Sequence, residues 1–302
     1  MTIRTPAMAL LLFLSSTAVG TAATCPPDGW TSDQLKALKV EEFKLDDPAR
    51  RQALALGLLG CLSDPDPELR DGIGFEALSV WLRADSLDTA TKLAAYEQLL
   101  IVLESTSPDS NGFAQPFAAL VLSELARADR KAPYLSPAQR AALIEAGARY
   151  LETVRDYRGF DAREGWRHGV AHGADLMLQL AVNPVLDKAQ LDRIFAAVAS
   201  QVAPPGEHFY VYGEPARLAR PLLYGALRGL HAEADWQAWF AKISSPAPMK
   251  TWREAFGSNE GLARRHNIRS FLLSAYSEIR DSKDEHLAKM LPAVNAALIA
   301  VP

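Results

Sequence analysis

The sequence predicts an all-α protein, an array of helical hairpins in the manner of an α-solenoid or an α/α toroid-like, HEAT-like arrangement of about a dozen helices. Three observations lead to this fold class. Apolar residues recur three to four positions apart over many segments of the chain. Short breaks rich in Pro, Gly, Asp and Ser separate these segments. A series of alternating apolar and polar residues, the mark of a β-sheet, is missing from the sequence.

The first half of the chain divides at residues that cap or break helices. Thr31 or Ser32 caps a short helix, and Asp47-Pro48 opens one that reaches about Cys61. Further helices are predicted after the Ser63–Pro67 turn, after the Asp85–Asp88 break, after the Ser105–Gly112 loop, and from Ser136-Pro137 to Val154.

The second half of the chain also alternates helices with short breaks, and it contains one polar stretch, Arg158–Asp175. The helix of this stretch ends at Asn183-Pro184, and Asp187 caps the next one. His208–Tyr212 is the one segment with strand-like residues. The remaining helices are predicted from Gly213-Glu214-Pro215 and over Asp235–Ile243, Glu260–Arg280 and Glu285–Ala300.

The first 23 residues are typical of a secretory signal peptide, with Arg4 before an apolar run and Thr21-Ala22-Ala23 at the end. The run is too short to span a bilayer. We therefore expect an exported protein, periplasmic or secreted, whose mature chain is one helical-repeat-like domain over residues 24–302 without a transmembrane span. A lipid anchor on Cys25 is disfavoured, because Thr24 is a poor fit to the small residue that such processing needs.

Composition and charge indicate a globular protein and argue against nucleic acid as a partner. Hydrophobic residues make up 49% of the chain and charged ones 23%, as in an ordinary globular protein. A net charge of −4 offers nothing that would attract nucleic acid. The two cysteines, Cys25 and Cys61, lie in a chain predicted to be exported, where a disulfide is favoured over a metal pair or a nucleophile.

The polar stretch places four charged or ionisable side chains together if it is helical throughout. At 100° per residue, Glu164, His168, His172 and Asp175 fall within an arc of about 80°. Trp166 falls on the opposite, apolar face. A third row would contain Gly165, Gly169 and Gly173, which predicts a close approach by the backbone of another helix or by a ligand, because glycine in a helix costs about 0.5–1 kcal/mol.

His168 and His172 are four residues apart, the spacing at which one helix offers two imidazoles to a metal ion such as zinc. Glu164 and Asp175 would serve beside them as a ligand, a general acid or base, or an outer carboxylate. One helix rarely completes a zinc site, so a further ligand would come from elsewhere in the chain. The candidates are His208, Glu214 and His266. The alternative is structural: both histidines hydrogen-bond to nearby carboxylates or carbonyls and hold the helix in place.

Other polar residues are candidates for ligand binding. Arg158 could grip a carboxylate or phosphate, or cap a neighbouring helix. Asp161 and Trp166 lie in the same stretch, and Glu214 and Arg217 open a later helix. Arg217 is as well explained by an ion pair or a solvated face.

The polar stretch also carries a resemblance. Arg158-Gly159-Phe160, Gly165-Trp166, His168, Ala171-His172 and Ala174-Asp175-Leu176, with a weaker match at Glu214 and Arg217-Leu218-Ala219, resemble a bacterial family, the domain of unknown function 2785 family. The likeness extends over about Ala53 to Leu272. It implies a helical, repeat-like fold and no particular activity.

Two functions of different classes follow from these observations. The first is a binding or scaffolding module that offers a polar groove around His168 and His172 to an envelope peptide, a polymer or a partner protein. The second is a hydrolase-like enzyme, with or without a metal, that uses the two histidines with Glu164 or Asp175. The absence of a Gly-x-Ser-x-Gly or His-Glu-x-x-His motif favours the first.

Overall fold

A computed structural model describes residues 24–302, so the predicted signal peptide lies outside the described residues. Over this range the regular secondary structure is helical except for one two-stranded hairpin, which confirms the all-α class. The α-helices are α1 (Ser32–Val40), α2 (Pro48–Gly57), α3 (Pro67–Leu69), α4 (Glu76–Arg83), α5 (Thr89–Leu103), α6 (Ala114–Lys131), α7 (Pro137–Thr153), α8 (Gly169–Ala181), α9 (Lys188–Val202), α10 (Glu214–Ala226), α11 (Glu233–Ile243), α12 (Asn259–Ile279), α13 (Glu285–Ala288) and α14 (Leu291–Ala300). The strands are β1 (Phe160–Asp161) and β2 (Gly165–Trp166).

The helices form two packed rows. In one row α4, α6, α8, α10 and α12 each contact the next, with the most extensive packing between α6 and α8 and between α8 and α10. In the other row α5 packs on α7 and α7 on α9. The rows are joined where α5 meets α6, α7 meets α8 and α9 meets α10. This is the predicted helical-hairpin array, and it puts α8 in the middle of its row.

Capping residues explain where many of these helices begin. Ser136 and Gln139 form a capping box at the start of α7, as do Asp187 and Gln190 at the start of α9. The Asp47 carboxylate accepts two backbone N–H groups at the start of α2. These are the positions where the sequence predicts the helix starts.

The glycine row predicts a close approach by a helix backbone or a ligand, but at Gly169 and Gly173 it is side chains of α7 that come close to α8. A Cβ on Gly173 would lie 2.6 Å from a Leu151 methyl group, and one on Gly169 would lie 2.9 Å from the Tyr150 hydroxyl. Side chains of α7 therefore occupy the space that the two glycines leave open. Gly165 is not part of this row, because it lies in β2 with φ +74°.

The helix predicted across Glu164–Asp175 is wrong at its start, since α8 begins only at Gly169. The Asp161 carboxylate accepts the N–H groups of Arg163 and Glu164 and closes a tight turn, at which β1 pairs antiparallel with β2. Glu164 and Trp166 are thus off the helix. Trp166, expected on the buried face, is 38% exposed.

Three other predictions about elements need correction. The helix expected to reach Cys61 changes to a 3-10 turn at Leu58–Ser63. The helix expected over Glu285–Ala300 is broken into α13 and α14, where Pro292 starts the second. The strand-like segment His208–Tyr212 is extended but pairs with no strand among residues 24–302.

The predicted disulfide is present. Cys25 and Cys61 are bonded with their Cα atoms 4.8 Å apart, and the bond ties the segment before α1 to the 3-10 turn after α2. No helix among residues 24–302 is long and apolar enough to cross a membrane.

Candidate functional site

The hairpin and the start of α8 form one connected piece of backbone. The N–H groups of Arg167 and His168 donate to the carbonyls of Gly159 and Arg158, which carries the strand pairing on to the helix. His168 caps α8 in the left-handed region at φ 55°, which is rare for a residue with a side chain. The predicted site residues therefore lie in three places: in or just before the hairpin, along α8 from its cap His168, and, for Glu214 and Arg217, in α10.

Three of them, His168, His172 and Asp175, follow one another along α8 and are called the polar row below. The His168 Nε2 atom lies 3.0 Å from the Tyr212 carbonyl oxygen, so this ring joins the start of α8 to the segment before α10. Burial lowers the pKa of His168, and the nearby Arg217 lowers it further.

His172 is the most enclosed member of the polar row. It is 7% exposed, and its ring meets Phe117 edge-on at 5.3 Å and His168 at 6.0 Å between ring centroids. Burial, with smaller effects from His168 and Arg217, lowers its pKa to about 3, so the ring is neutral at pH 7. Its Nδ1 atom has no hydrogen-bond partner among residues 24–302.

Asp175 and Arg217 form an ion pair between α8 and α10. Burial raises the pKa of Asp175, and the guanidinium of Arg217 opposes that rise. Glu214 is buried at the start of α10, where it accepts the Tyr212 N–H at 2.9 Å, and burial raises its pKa. Each of the three side chains thus has a partner within the fold.

The donors that zinc would need are not grouped together. Among residues 24–302 no three His, Cys, Asp or Glu side chains are placed to hold a metal ion. Glu164 binds Arg167 instead, at 2.6 Å. His208 stacks on Tyr157, and His266 lies 3.2 Å from the Tyr210 carbonyl oxygen. The residues present do not fit a tetrahedral site around His168 and His172.

A cleft of about 710 Å³ opens on the other side of the hairpin and is called the hairpin cleft below. Its walls are the segment after α7, the hairpin, and the extended segment before α10. The lining residues are Arg155, Asp156, Tyr157, Arg158, Gly159, Phe160, Asp161, Glu164, Arg167, His208, Val211 and Tyr212. Arg158 and Asp161, both candidates for ligand binding from the sequence, are among them.

The charges of the hairpin cleft are largely paired with one another. Arg158 donates to both carboxylate oxygens of Asp156. Burial would raise the pKa of Asp156, but the hydrogen bonds from Arg158 outweigh it and hold that pKa below its usual range. The Asp156 carboxylate is thus ionised at pH 7. Arg167 forms a second ion pair, through one carboxylate oxygen of Glu164.

Three exposed aromatic side chains lie at the hairpin cleft: those of Phe160 and Tyr212 line it, and that of Trp166 packs against both from outside the lining. Phe160 is 51% exposed, and Trp166 and Tyr212 are each 38% exposed. The Trp166 ring centroid lies 5.1 Å from that of Phe160 and 5.8 Å from that of Tyr212. His168 stacks on Trp166 at 4.4 Å, so the polar row supports this aromatic surface from the side of α8. We call Phe160, Trp166 and Tyr212 the aromatic rim.

Arg70 and Arg167 hold the hairpin in place, and neither is predicted from the sequence as a site residue. Arg70 is fully buried in a π-helical segment, Arg70–Phe75, and donates to the Glu164 carbonyl at 2.6 Å. Its guanidinium lies 3.7 Å from the ring centroid of Phe113, and that of Arg167 lies 4.4 Å from the same ring. Arg70 is 94 residues from Glu164, so no local pattern in the sequence indicates the contact.

Comparison with known proteins gives one match. The model of a family described as "Protein of unknown function (DUF2785)" matches residues 101–276, a range that runs from within α5 to within α12 and includes the hairpin, the polar row and Arg217. No curated protein and no solved structure matches the chain.

Proposed function

The chain belongs to the family of proteins of unknown function DUF2785, and since that family assigns no activity, we propose from the geometry that it is a binding module of the cell envelope. Its ligand, a peptide, a polymer or part of a partner protein, occupies the hairpin cleft. The helical array holds the cleft in place, and the polar row fixes the hairpin to it. Export of the protein belongs to the proposal, and the disulfide Cys25–Cys61 is compatible with it.

The observation that carries this proposal is the aromatic rim beside a polar cleft. Large aromatic side chains in contact with one another are normally buried, and an exposed group of them indicates a binding surface. The cleft volume of about 710 Å³ is within the range of about 300–1,000 Å³ of ligand pockets. Exposed aromatic rings that converge on such a volume give a ligand both area and orientation.

Three features favour binding over hydrolysis by the polar row. His172 is enclosed and its pKa is lowered to about 3, so at pH 7 it is not an imidazolium that could act as a general acid, and it is a weak general base. The Nε2 atom of His168 is already hydrogen-bonded to the Tyr212 carbonyl. Asp175 is engaged by Arg217. These contacts support the structural interpretation of the two histidines, with the ligand held at the cleft instead.

A thermal-shift screen tests the proposal. Purified protein would be heated with three classes of compound: neutral oligosaccharides, peptides, and anionic oligosaccharides. A ligand at 100 times its Kd stabilises the folded state by about 2.7 kcal/mol, which raises the melting temperature by several degrees. We expect at least one class to do so, and mass spectrometry to recover the compound intact.

Two variants locate the binding. Phe160→Ala with Tyr212→Ala removes two rings of the aromatic rim, and we expect it to abolish the shift. Phe256→Ala is the matched control, because Phe256 is 58% exposed and does not line the cleft. A shift that survives in the double variant, or no shift with any class, would overturn the proposal. Cleavage products would point to the hydrolase instead.

A further inference from the structure

We infer that the ligand of the hairpin cleft is an uncharged oligosaccharide, an inference that rests on the proposed binding function and specifies its ligand class. Two independent properties of the cleft lead to it: the exposed side chains of the aromatic rim, and the balanced charges of the lining, four of which form two ion pairs. A sugar chain satisfies both, because each pyranose ring has an apolar face of C–H groups and an edge of hydroxyl groups.

The aromatic rim suits the apolar face of a sugar. An aromatic ring carries partial negative charge on its faces and attracts the weakly positive C–H groups of a pyranose laid flat on it. Phe160 lines the cleft and lies 5.1 Å from Trp166 beside it, and Tyr212, which also lines the cleft, stands at 88° to Trp166. The rim is thus more than one ring wide, which suits a chain of sugars better than a single one.

The ring positions are fixed by close packing within the fold. Gly159 lies directly behind Tyr212, where a Cβ atom would come within 2.0 Å of the ring. Trp166 is stacked on His168, whose imidazole is held by the Tyr212 carbonyl. Rings placed in this way lose little conformational entropy when a ligand covers them.

The charges of the lining suit the hydroxyl groups of a sugar. Three arginines, Arg155, Arg158 and Arg167, stand against three carboxylates, Asp156, Asp161 and Glu164. Burial lowers the pKa of His208, which leaves that ring neutral at pH 7, so the lining has no net charge. A hydroxyl group both donates and accepts hydrogen bonds, and a paired arginine and carboxylate offer one partner of each kind.

Several polar atoms remain available for such bonds. Arg158 binds Asp156 through Nε and Nη2, which leaves its Nη1 atom without a partner among residues 24–302. Arg167 binds one oxygen of Glu164, and the turn at Asp161 uses one oxygen of that carboxylate. In the described part of the chain the second oxygen of each has no hydrogen-bond partner.

Other ligand classes fit this lining less well. A phosphate or an anionic polymer would find Arg158 and Arg167 already neutralised by carboxylates, and of the three arginines in the lining only Arg155 has no ion pair among residues 24–302. A proline-rich peptide also docks on aromatic rings, but its backbone carbonyls need donors and make no use of Asp156, Asp161 and Glu164. The paired carboxylates therefore favour the neutral sugar.

Isothermal titration calorimetry with defined probes tests the inference. The neutral probes are chitotetraose and cellotetraose; the others are tetragalacturonate, as an anion, and a proline-rich decapeptide. We expect one neutral probe to bind at least ten times more tightly than either of the others. Phe160→Ala should weaken that binding at least tenfold, while Phe256→Ala should leave it unchanged.

A second measurement guards against a variant that fails to fold. Trp166→Phe keeps an aromatic ring in place but removes one indole from the fluorescence spectrum. If the sugar covers Trp166, the probe shifts the emission of the wild type, and the contribution of Trp166 to that shift is missing from Trp166→Phe.

The outcomes separate this inference from the proposed function. Preferential binding of the anion or the peptide, lost in Phe160→Ala, would overturn the sugar and keep the binding module. Sugar binding that Phe160→Ala does not weaken would overturn the inference as well. If no probe of any class binds, the inference and the proposed function fail together.

Discussion

At the scale of the residue, His172 is the most unusual group of the polar row. It is an imidazole within the core, packed against Phe117, and its Nδ1 atom has no partner among residues 24–302. Protonation would place a charge in this apolar setting, beside His168 and near the cations Arg217 and Arg70. The fold therefore tolerates the neutral ring only.

This predicts a loss of stability in acid. The pKa of His172 falls from 6.5 to about 3 on folding, so below pH 6.5 the unfolded chain binds a proton that the folded chain does not. Between about pH 6.5 and pH 3 the free energy of unfolding should decrease, through this group, by about 1.4 kcal/mol for each unit by which the pH is lowered. Urea unfolding of the wild type and of His172→Gln between pH 7 and pH 5 measures it. Parallel curves for the two proteins would contradict the prediction.

A second prediction at this scale concerns zinc. Because Glu164 lies in the hairpin, bound to Arg167, the two histidines lack further ligands. We expect the melting temperature of the wild type to be the same with added Zn²⁺ and with a chelator. His172→Ala should melt several degrees lower under both conditions, because it leaves a cavity beside Phe117. A zinc-dependent rise in the wild type, absent from the variant, would restore the metal hypothesis.

At the scale of the element, the ion pair of Asp175 and Arg217 joins α8 to α10. The Asp175 side chain is 16% exposed and that of Arg217 36%, so removing either partner leaves the other poorly hydrated. A double-mutant cycle with Asp175→Asn and Arg217→Gln should give a coupling energy of about 1–2 kcal/mol. The pair Lys188 and Asp192, exposed on one helix, is the matched control and should give less than about 0.5 kcal/mol.

The packing of Gly159 against Tyr212 predicts how one added methyl group at residue 159 would affect the cleft. A Cβ at residue 159 would overlap the Tyr212 ring, so Gly159→Ala should displace Tyr212 and weaken ligand binding by about tenfold or more. Near-ultraviolet circular dichroism should report the change in aromatic packing. Gly257→Ala is the control, because its Cβ would meet nothing within 4 Å. Equal affinities for both variants would argue against the cleft.

At the scale of the whole molecule, the helical array acts as a frame for one irregular segment. The row α4, α6, α8, α10 and α12 places α8 between α6 and α10. Arg70 and Arg167 meet over Phe113 from distant parts of the chain, and Arg70 also binds the Glu164 carbonyl of the hairpin. The hairpin therefore depends on contacts from outside its own segment of the chain.

The N-terminal end of the array is fastened by the disulfide. The bond joins residues 36 positions apart, and closing a loop of this length restricts the unfolded chain enough to stabilise the fold by about 2–4 kcal/mol. Cys25→Ser with Cys61→Ser should lower the free energy of unfolding by that amount and leave ligand affinity unchanged, since neither residue lines the hairpin cleft. Chemical denaturation with and without reductant should reproduce the loss in the wild type.

The all-α class, most helix starts and the Cys25–Cys61 bond follow from the sequence, and the structure agrees with them. These features depend on local physics. Apolar spacing and capping residues act within a few positions of the chain, so Ser136 and Asp187 mark the starts of α7 and α9.

Only the tertiary structure decided where α8 begins and which residues the cleft brings together. The spacing of Glu164, His168 and His172 fits a helix, yet Asp161 closes a turn and the carbonyls of Gly159 and Arg158 take the N–H groups that a helix would use. Arg70 fixes that turn from far along the chain. Contacts between residues so far apart along the chain form because helices pack against one another, and a local sequence pattern cannot predict them.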